Sequence, residues 1–353
     1  MKMSLDDVAR EAGVSRATVS RVVNGSPSVD AKTVAAVRQT MDRMGYVRPA
    51  VRPGPRPRIS HPSQLRVGAI ALVIIGGSRN LMQEPTMALV IDRIQVACRK
   101  RQVNLILEQM DSPDQVPHCV QNRQVDGALI MVSGRPDYLR ACIHKVAGLV
   151  PVVYFFAPGH PVSGVDHVSV NDVAIGSLAF HTLKDAGCKS FVVMSNQESF
   201  LEALLVRGRA FLDRVAVEGL AGTAYIMAAG NTDIGRFWPM PLTVIDKPEA
   251  LVERLRVQAT AGTVGLFVTL ETQVRPIHQA LERHGLISSG AVRMIVAGST
   301  PFYVEDLSPA PQLISLEFGE IINIAVERLI HRAVSLPAGV LTFLIPPKLV
   351  IPV

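Results

Sequence analysis

The sequence predicts a small all-α headpiece followed by a much larger α/β body. Residues 1–47 carry three consecutive helix signatures, and residues 48–65 are rich in proline and arginine. Over residues 66–353, short β-branched apolar runs alternate with stretches of helical periodicity, which favours parallel sheets covered by helices. Because 353 residues are long for one hydrophobic core, we expect about two or three folded units.

Positive charge is concentrated at the start of the chain. Residues 1–66 hold twelve Lys and Arg against five Asp and Glu. The other 287 residues hold 24 Lys and Arg against 25 Asp and Glu. A basic segment on a near-neutral body is typical of nucleic-acid binding. The alternative is a basic tail that serves only solubility, but helical patterns in the same segment favour a folded unit that binds DNA.

Several other classes of protein are disfavoured. No apolar run reaches the ~18 residues of a transmembrane helix, and the first residues lack the apolar stretch of a secretion signal. We therefore expect a cytoplasmic protein with no membrane partner. The cysteines lack CxxC spacing and the histidines form no ligand pattern, so we expect reduced core cysteines, no metal site and no cofactor. No catalytic motif is found, and neither catalytic residues nor enzymatic activity is predicted.

Three helices are predicted in the headpiece from their caps and apolar stripes. Ser4 and Asp7 have the spacing of a capping box at the start of the first helix. Ser15 is positioned to cap the second helix, and Asp30 to cap the third. The connection Gly13-Val14-Ser15 has the short length that a helix-turn-helix requires.

The second predicted helix has two chemically different faces. If residues 16–24 are helical, positions 19, 22 and 23 lie on one side, and all three are valine. The opposite side carries polar and small residues: Arg16, Ala17, Ser20, Arg21 and Asn24. This pattern fits an ordinary surface helix, and it equally fits a helix that lies in a groove of DNA.

Residues 4–46 carry a resemblance to a known family. The run LDDVAREAGVSRATVSRVVNG, followed by VDAKT and MGY, resembles the DNA-binding headpiece of the LacI/GalR family of bacterial transcription regulators. The resemblance implies that the second helix is the recognition helix, with Arg16 and Ala17 selecting bases. An arginine suits a bidentate contact with guanine. The resemblance also implies DNA contacts at the following positions: Leu5, Ser15, Thr18, Ser20, Arg21, Asn24, Val29, Thr33 and Tyr46.

The same resemblance implies the partners. A regulator of this kind, expected to act as a repressor, binds a palindromic operator in double-stranded DNA as a homodimer or a tetramer. A small polar effector modulates its affinity for that operator. The alternative is a DNA-binding regulator or architectural protein whose sensor half has lost its ligand.

The linker over residues 48–65 departs from the family pattern. The family has a short hinge helix that ends in Ala-Arg-x-Leu, whereas this segment contains Pro49, Pro53, Pro55 and Pro57. These prolines do not all fit inside a helix, so an extended segment is predicted. One interpretation is a stiff charged spacer. The other is a minor-groove arm whose arginines contact DNA: Arg52, Arg56 and Arg58.

The order of strands and helices in the body resembles the two-lobed periplasmic-binding-protein fold, which forms the sensor half of this family. It implies one lobe at about 66–163 and 293–320, and a second lobe at 164–292 and 321–353. The effector is expected in the cleft between the lobes, where strand ends and loops converge.

The resemblance also implies effector contacts. Arg207 in VRGRAF and Glu271 in FVTLETQ stand at ligand-binding positions of the family, as do Asn171 and Asp172. The only tryptophan, Trp238, is a further candidate because it could stack on a ligand, and a core position is its alternative.

Two ligand-binding motifs of the family are replaced in this chain. Asn-Pro-Phe-Phe is replaced by Glu84-Pro85-Thr86-Met87, and Gly-Phe-Asp by Gly298-Ser299-Thr300. Without the aromatic pair, recognition must depend more on hydrogen bonds and charge than on stacking. We therefore expect a small hydroxylated or acidic effector, such as a sugar derivative.

Overall fold

The computed structural model describes most of the 353-residue chain. The described residues are 4–23, 29–44, 46, 65–76, 83–132, 138–156, 162–196, 202–227, 242–335 and 339–350. The chain divides into two units, Met1–Pro62 and Ser63–Val353. Among the described helices, none is long and apolar enough to cross a membrane.

The first unit, the headpiece, contains three helices, and their predicted caps are confirmed. The helices are α1 Leu5–Glu11, α2 Arg16–Val23 and α3 Ala31–Met44. Ser4 and Asp7 close the capping box at the start of α1. Ser15 Oγ accepts the N–H three residues further on at 3.1 Å, and Asp30 Oδ1 does the same for α3 at 2.9 Å. Each cap satisfies an N–H that has no partner within its helix.

The headpiece core is small and aliphatic. It consists of Val8, Ala9, Val19, Val22 and Val37, with partly buried neighbours around them. The valine face predicted for α2 is therefore its inner face, and burying each valine contributes ~1.5–3 kcal/mol. Thr40 is also buried, although no apolar stripe predicts it, because its hydroxyl donates to Ala36 O at 3.0 Å.

The second unit, the body, is built on two sheets. The first sheet has the order β12-β5-β4-β3-β1-β2, and its strands are β1 Ala69–Ile75, β2 Asn104–Met110, β3 Gly127–Val132, β4 Val152–Phe155, β5 Asp166–Val170 and β12 Thr342–Ile345. The second has the order β13-β11-β10-β9-β6-β7-β8, and its strands are β6 Ser190–Asn196, β7 Ala221–Met227, β8 Leu242–Ile245, β9 Val264–Val268, β10 Val292–Ala297, β11 Gln312–Ser315 and β13 Lys348–Val350. Described neighbouring strands pair in parallel except β11 and β13, which are antiparallel.

Helices cover both sheets, as the alternating pattern predicts. Those of the first sheet are α4 Pro85–Lys100, α5 His118–Gln121, α6 Leu139–Ala147 and α11 Phe318–Val334. Those of the second are α7 Asp172–Asp185, α8 Glu202–Val217, α9 Pro248–Ala259 and α10 Val274–Arg283. The central strands β1, β3, β9 and β4 are buried along their whole length, which explains their continuous apolar sequences. All four cysteines are buried and unbridged, as expected: Cys98, Cys119, Cys142 and Cys188.

The predicted division into lobes is wrong in several places. Strand β5 pairs with β4 in the first sheet, whereas β10 and β11 extend the second sheet beside β9. Helix α11 packs on β3, β4 and β5. Lobe one therefore consists of the described residues within 65–170 and 318–345, and lobe two of those within 172–316 and 348–350. Apolar periodicity identifies a strand but not the sheet it joins, because its pairing partner lies elsewhere in the chain.

A buried carboxylate ties the end of α11 to lobe one. Asp166 has no exposed surface and accepts hydrogen bonds from Arg328 at 2.5 Å and from Arg332 at 2.5 and 2.8 Å. It also accepts the N–H of Leu341 at 2.8 Å. Burial alone would raise the pKa of Asp166, but these hydrogen bonds and the charge of Arg332 hold it below its usual value.

A second carboxylate fixes the start of the body. Asp126, immediately before β3, accepts the backbone N–H groups of Val67, Gly68 and Ala69 at 2.6–3.3 Å. Arg66 adds a hydrogen bond to the carbonyl of Arg123 at 2.8 Å. The segment that enters β1 is thus held by backbone contacts before the strand begins.

Candidate functional sites

The outer face of α2 is the first candidate site. Arg16, Ala17 and Arg21 are exposed, and Ser20 is half-buried. On the opposite side, Val19 and Val22 anchor the helix in the headpiece core. The two faces predicted from the sequence are therefore confirmed over the described part of α2. The helix is held by its apolar side while guanidinium and methyl groups point outward.

Arg16 is held only weakly within the headpiece. Its Nε lies 3.5 Å from Asp6 Oδ1, and both side chains are more than half exposed. Exposed ion pairs contribute ~0.2–1 kcal/mol, so a phosphate or a base edge could displace Asp6 at little cost.

The other predicted DNA-contact residues fall into three groups. Leu5, Val29 and Tyr46 are partly buried and pack against the headpiece core. Ser15 and Thr18 form the cap of α2, where their hydroxyls lie 2.9 Å apart, and Thr33 is half-buried in the first turn of α3. The remaining predicted contacts lie outside the described residues: Asn24, Arg52, Arg56 and Arg58.

The second candidate site lies at the carboxyl ends of β6 and β9 in lobe two. Arg207 on α8 is 5% exposed, and its Nε donates to Asp172 Oδ1 at 2.7 Å. Its Nη1 donates to the carbonyl of Thr269 at 3.0 Å. The Thr269 hydroxyl in turn donates to Ser195 Oγ at 3.0 Å. A buried guanidinium is thus tied to two strand ends and to the first turn of α7.

Close packing of α7 on α8 sets the position of Arg207. A Cβ atom added at Gly176 would lie 2.3 Å from Arg207 O and 2.7 Å from Phe211 N. Only glycine allows the two helix backbones to approach this closely. Asp172, at the start of α7, is thereby brought within reach of the guanidinium. Burial raises the pKa of Asp172, while the charge of Arg207 opposes the rise.

Glu271 lies on the next loop of the same site and is 2% exposed. Its Oε2 accepts the N–H of Thr300 at 2.9 Å. A Cβ atom at Gly298 would lie 1.8 Å from that oxygen, so the long glutamate side chain depends on a glycine opposite it. Burial raises the pKa of Glu271, and hydrogen bonds from Thr300 oppose the rise. Glu271 thus brings a carboxylate to Thr300, where the family motif has its aspartate.

Side-chain hydrogen bonds between described residues connect the lobes beside this site. Thr86 Oγ1 on α4 and Thr300 Oγ1 lie 3.1 Å apart. The hydroxyl of Tyr303, in the short 3-10 helix Pro301–Tyr303, donates to Glu84 Oε2 at 3.3 Å. Burial raises the pKa of Tyr303, and a phenol with its ordinary pKa is already a hydrogen-bond donor at neutral pH. These contacts join the two segments in which the family motifs are replaced.

Part of the second site matches the residues predicted from the sequence. The structure brings Asp172 and Arg207 into direct contact and places Glu271 two residues beyond the Thr269 carbonyl that Arg207 binds. Asn171 caps α7 by accepting the N–H of Ala174 at 3.0 Å, and its assignment to the effector stays a prediction. Trp238 lies outside the described residues.

Five residues of this site were not predicted as functional: Ser195, Thr269, Tyr303, Thr86 and Thr300. Thr86 and Thr300 are 214 residues apart in sequence. The only sequence signal for these two was their place in the two altered motifs.

The chain is similar to known regulatory proteins. A family model described as bacterial regulatory proteins of the lacI family matches residues 4–49. The HTH-type transcriptional regulator CelR of Thermobifida fusca is 28% identical over 219 residues, which cover 58% of this chain and 62% of CelR. Catabolite control protein A of Priestia megaterium is 36% identical over 214 residues, which cover 59% of this chain and 60% of that protein. The chain thus matches less than two thirds of either relative.

Solved structures share the fold over almost the whole chain. A complex of CelR with cellobiose has a TM-score of 0.58 at 20% identity, covering 99% of this chain and 98% of that one. The lac repressor dimer bound to operator and the anti-inducer ONPF has a TM-score of 0.60 at 16% identity, with the same coverage. At these identities the likeness concerns the fold.

Proposed function

We propose that the chain belongs to the LacI/GalR family of bacterial regulatory proteins, which its lacI-type headpiece and its similar regulators support, and that it is a sequence-specific DNA-binding regulator of transcription. The headpiece binds an operator, and the two-lobed body binds a small polar effector that changes operator affinity. The DNA partner is a palindromic operator bound by a homodimer, and repression is the proposed outcome of binding.

The observation that carries this proposal is the outer face of α2. It exposes Arg16, Ala17 and Arg21 while its valines are buried. A helix of this kind, preceded by a short turn after α1, has the geometry of a recognition helix in the major groove. Arg16 supplies the fork that suits guanine, and Ala17 offers a methyl group that suits thymine.

Changing Arg16 to alanine is expected to weaken operator binding by ~1–3 kcal/mol and to relax preference at one base pair per half-site. The physical reason is removal of a bidentate hydrogen bond to one base edge. Affinities of the full chain for a randomised DNA library, measured before and after the change, provide the test.

Arg43→Ala is the matched control for this experiment. Arg43 is another exposed headpiece arginine, paired with Glu11 at 2.8 Å, but it lies on α3. Its removal should weaken all sequences alike. If Arg16→Ala also weakened all sequences alike, Arg16 would be a phosphate contact and base selection by this residue would be disproved.

The effector site of the proposal is the polar cluster around Arg207 and Glu271. The cluster supports a ligand that forms many hydrogen bonds, because it combines a guanidinium, carboxylates and hydroxyls at converging strand ends. CelR has been solved with cellobiose, so hydroxylated sugars and their acidic derivatives form the first panel of candidate ligands.

Arg207→Ala is expected to reduce effector affinity by at least ~2 kcal/mol, since it removes a charge-assisted hydrogen bond. Calorimetry on the full chain, with ligands found in a thermal-shift screen that includes cellobiose, measures the reduction. Arg207→Lys keeps a positive charge beside Asp172 and serves as the milder variant. Arg209→Ala, on the same helix but 63% exposed, is the control and should bind like wild type. Wild-type affinity in both Arg207 variants would remove this residue from the site.

A further inference from the structure

Three chain crossings between the lobes are found within the described residues, judged by the sheet that each strand joins. The crossings lie at residue 171, residues 316–317 and residues 346–347. Two lobes connected in this way are free to rotate about their crossings unless other contacts hold them. Hydrogen bonds between side chains of different lobes therefore affect which arrangement is populated.

Lobe one contributes the first turn of α4 to such contacts. Glu84 is the N-cap of this helix, yet its side chain makes no capping hydrogen bond. Its carboxylate instead accepts a hydrogen bond from Tyr303 of lobe two. Two residues further on, the Thr86 hydroxyl meets the Thr300 hydroxyl. Both contacts thus come from a single helical turn.

Lobe two holds its side of these contacts firmly. Thr300 is 5% exposed, and its N–H is bound to Glu271. The following turn is fastened to α10, because Arg275 donates to the carbonyl of Phe302 at 2.8 Å and pairs with Asp306. Because these side chains are already ordered, forming the hydrogen bonds across the cleft costs little side-chain entropy.

We propose that Thr86–Thr300 and Glu84–Tyr303 form a latch that holds the lobes closed when no effector is bound. This inference rests on the proposed function, in which the cleft beside the latch is the effector site. A ligand that hydrogen-bonds to Thr86 or Thr300 competes with the latch. The latch side chains then stabilise the closed arrangement of the lobes, and effector binding opposes that stabilisation.

The test measures the distance between the lobes in the full chain without ligand. Spin labels are attached to cysteines introduced by Asp92→Cys on α4 and Gln279→Cys on α10, both exposed positions in different lobes. The four native cysteines are buried. Labelled chain is diluted into unlabelled chain so that only intramolecular distances are recorded by pulsed electron resonance.

Wild type is expected to give mainly one short distance. The double variant Thr86→Val with Tyr303→Phe removes both latch bonds, and the ratio of closed to open molecules should fall about tenfold. Thr182→Val is the matched control, because its hydroxyl donates to Leu178 O at 2.8 Å within α7 of lobe two. The control should keep the wild-type distance. If the double variant does not fold, Tyr303→Phe alone should give a smaller shift in the same direction.

Three results would overturn the latch: equal distances in wild type and double variant, an open wild type, or a shift of the same size in the control. Mobility-shift assays of the same samples on operator DNA address the proposed function separately. A wild type that does not bind DNA contradicts the regulator proposal, whereas the lobe distances still decide whether the latch exists.

Discussion

Raising the salt concentration from about 50 to about 200 mM is expected to weaken binding of the full chain to duplex DNA by about a thousandfold or more, with a log–log slope of ~ −6 or steeper. The reason is release of counterions from DNA by the cationic headpiece. Its described cations are all exposed: Arg10, Arg16, Arg21, Lys32, Arg38 and Arg43. In a homodimer their number doubles.

Fluorescence anisotropy on labelled duplexes at several salt concentrations measures this slope. Replacing both Arg16 and Arg21 by alanine should make it less steep by about one for each DNA phosphate that the variant no longer neutralises. A slope near zero for wild type would contradict DNA binding by the headpiece. If the double alanine variant left both the slope and the affinity unchanged, the contact surface would lie away from α2.

Asp166→Ala is expected to lower the free energy of unfolding by ~3–5 kcal/mol, because it leaves two arginines with an uncompensated charge inside lobe one. Arg328 and Arg332 are only 12% and 17% exposed. Chemical denaturation of wild type and variant measures the destabilisation. Asp166→Asn, which keeps part of the hydrogen bonding, replaces it if the alanine variant does not fold.

The matched control is Asp213→Ala, since Asp213 pairs with Arg209 where both side chains are 63% exposed. That change should alter stability by less than ~1 kcal/mol. Folding lowers the pKa of Asp166 from its ordinary value of 3.8. Its contribution to the free energy of unfolding is therefore fully present above the unfolded pKa and is lost as pH falls through the folded pKa. The difference in free energy of unfolding between wild type and the Asp166 variants should therefore be constant near neutral pH and decrease in acid. Equal destabilisation in the Asp166 and Asp213 variants, or a gap that widens in acid, would contradict this account.

Features set by neighbours in sequence were predictable. The caps at Ser4, Ser15 and Asp30 and the two faces of α2 depend on spacings of three or four residues, and all are confirmed. The central buried strands were also predictable, because strands covered on both faces have continuous apolar sequences. The edge strands β8, β12 and β13 lack this signal, since they have three or four residues each and β12 and β13 are largely exposed.

Features set by distant partners were not predictable. Assignment of β10 and β11 to a lobe depends on the pairing of β10 with β9 and of β11 with β10, which no local pattern records. The Arg207–Asp172 pair spans 35 residues, and only a family resemblance placed both near a ligand. Neither Thr86 nor Thr300 matches a functional sequence pattern. Only the hydrogen bond between their hydroxyls, which joins residues 214 positions apart, indicates a role for them.

The hydrogen bonds that Asp126 accepts at the start of the body have an evolutionary consequence. Asp126 binds three successive backbone N–H groups, those of Val67, Gly68 and Ala69, and contacts none of their side chains through these bonds. The bonds themselves require only that these positions are not proline, while the positive φ of 74° at Gly68 favours glycine there. Headpieces and linkers of very different composition could therefore be exchanged upstream by recombination while the body kept its fold, and new DNA specificities could be acquired without redesign of the sensor.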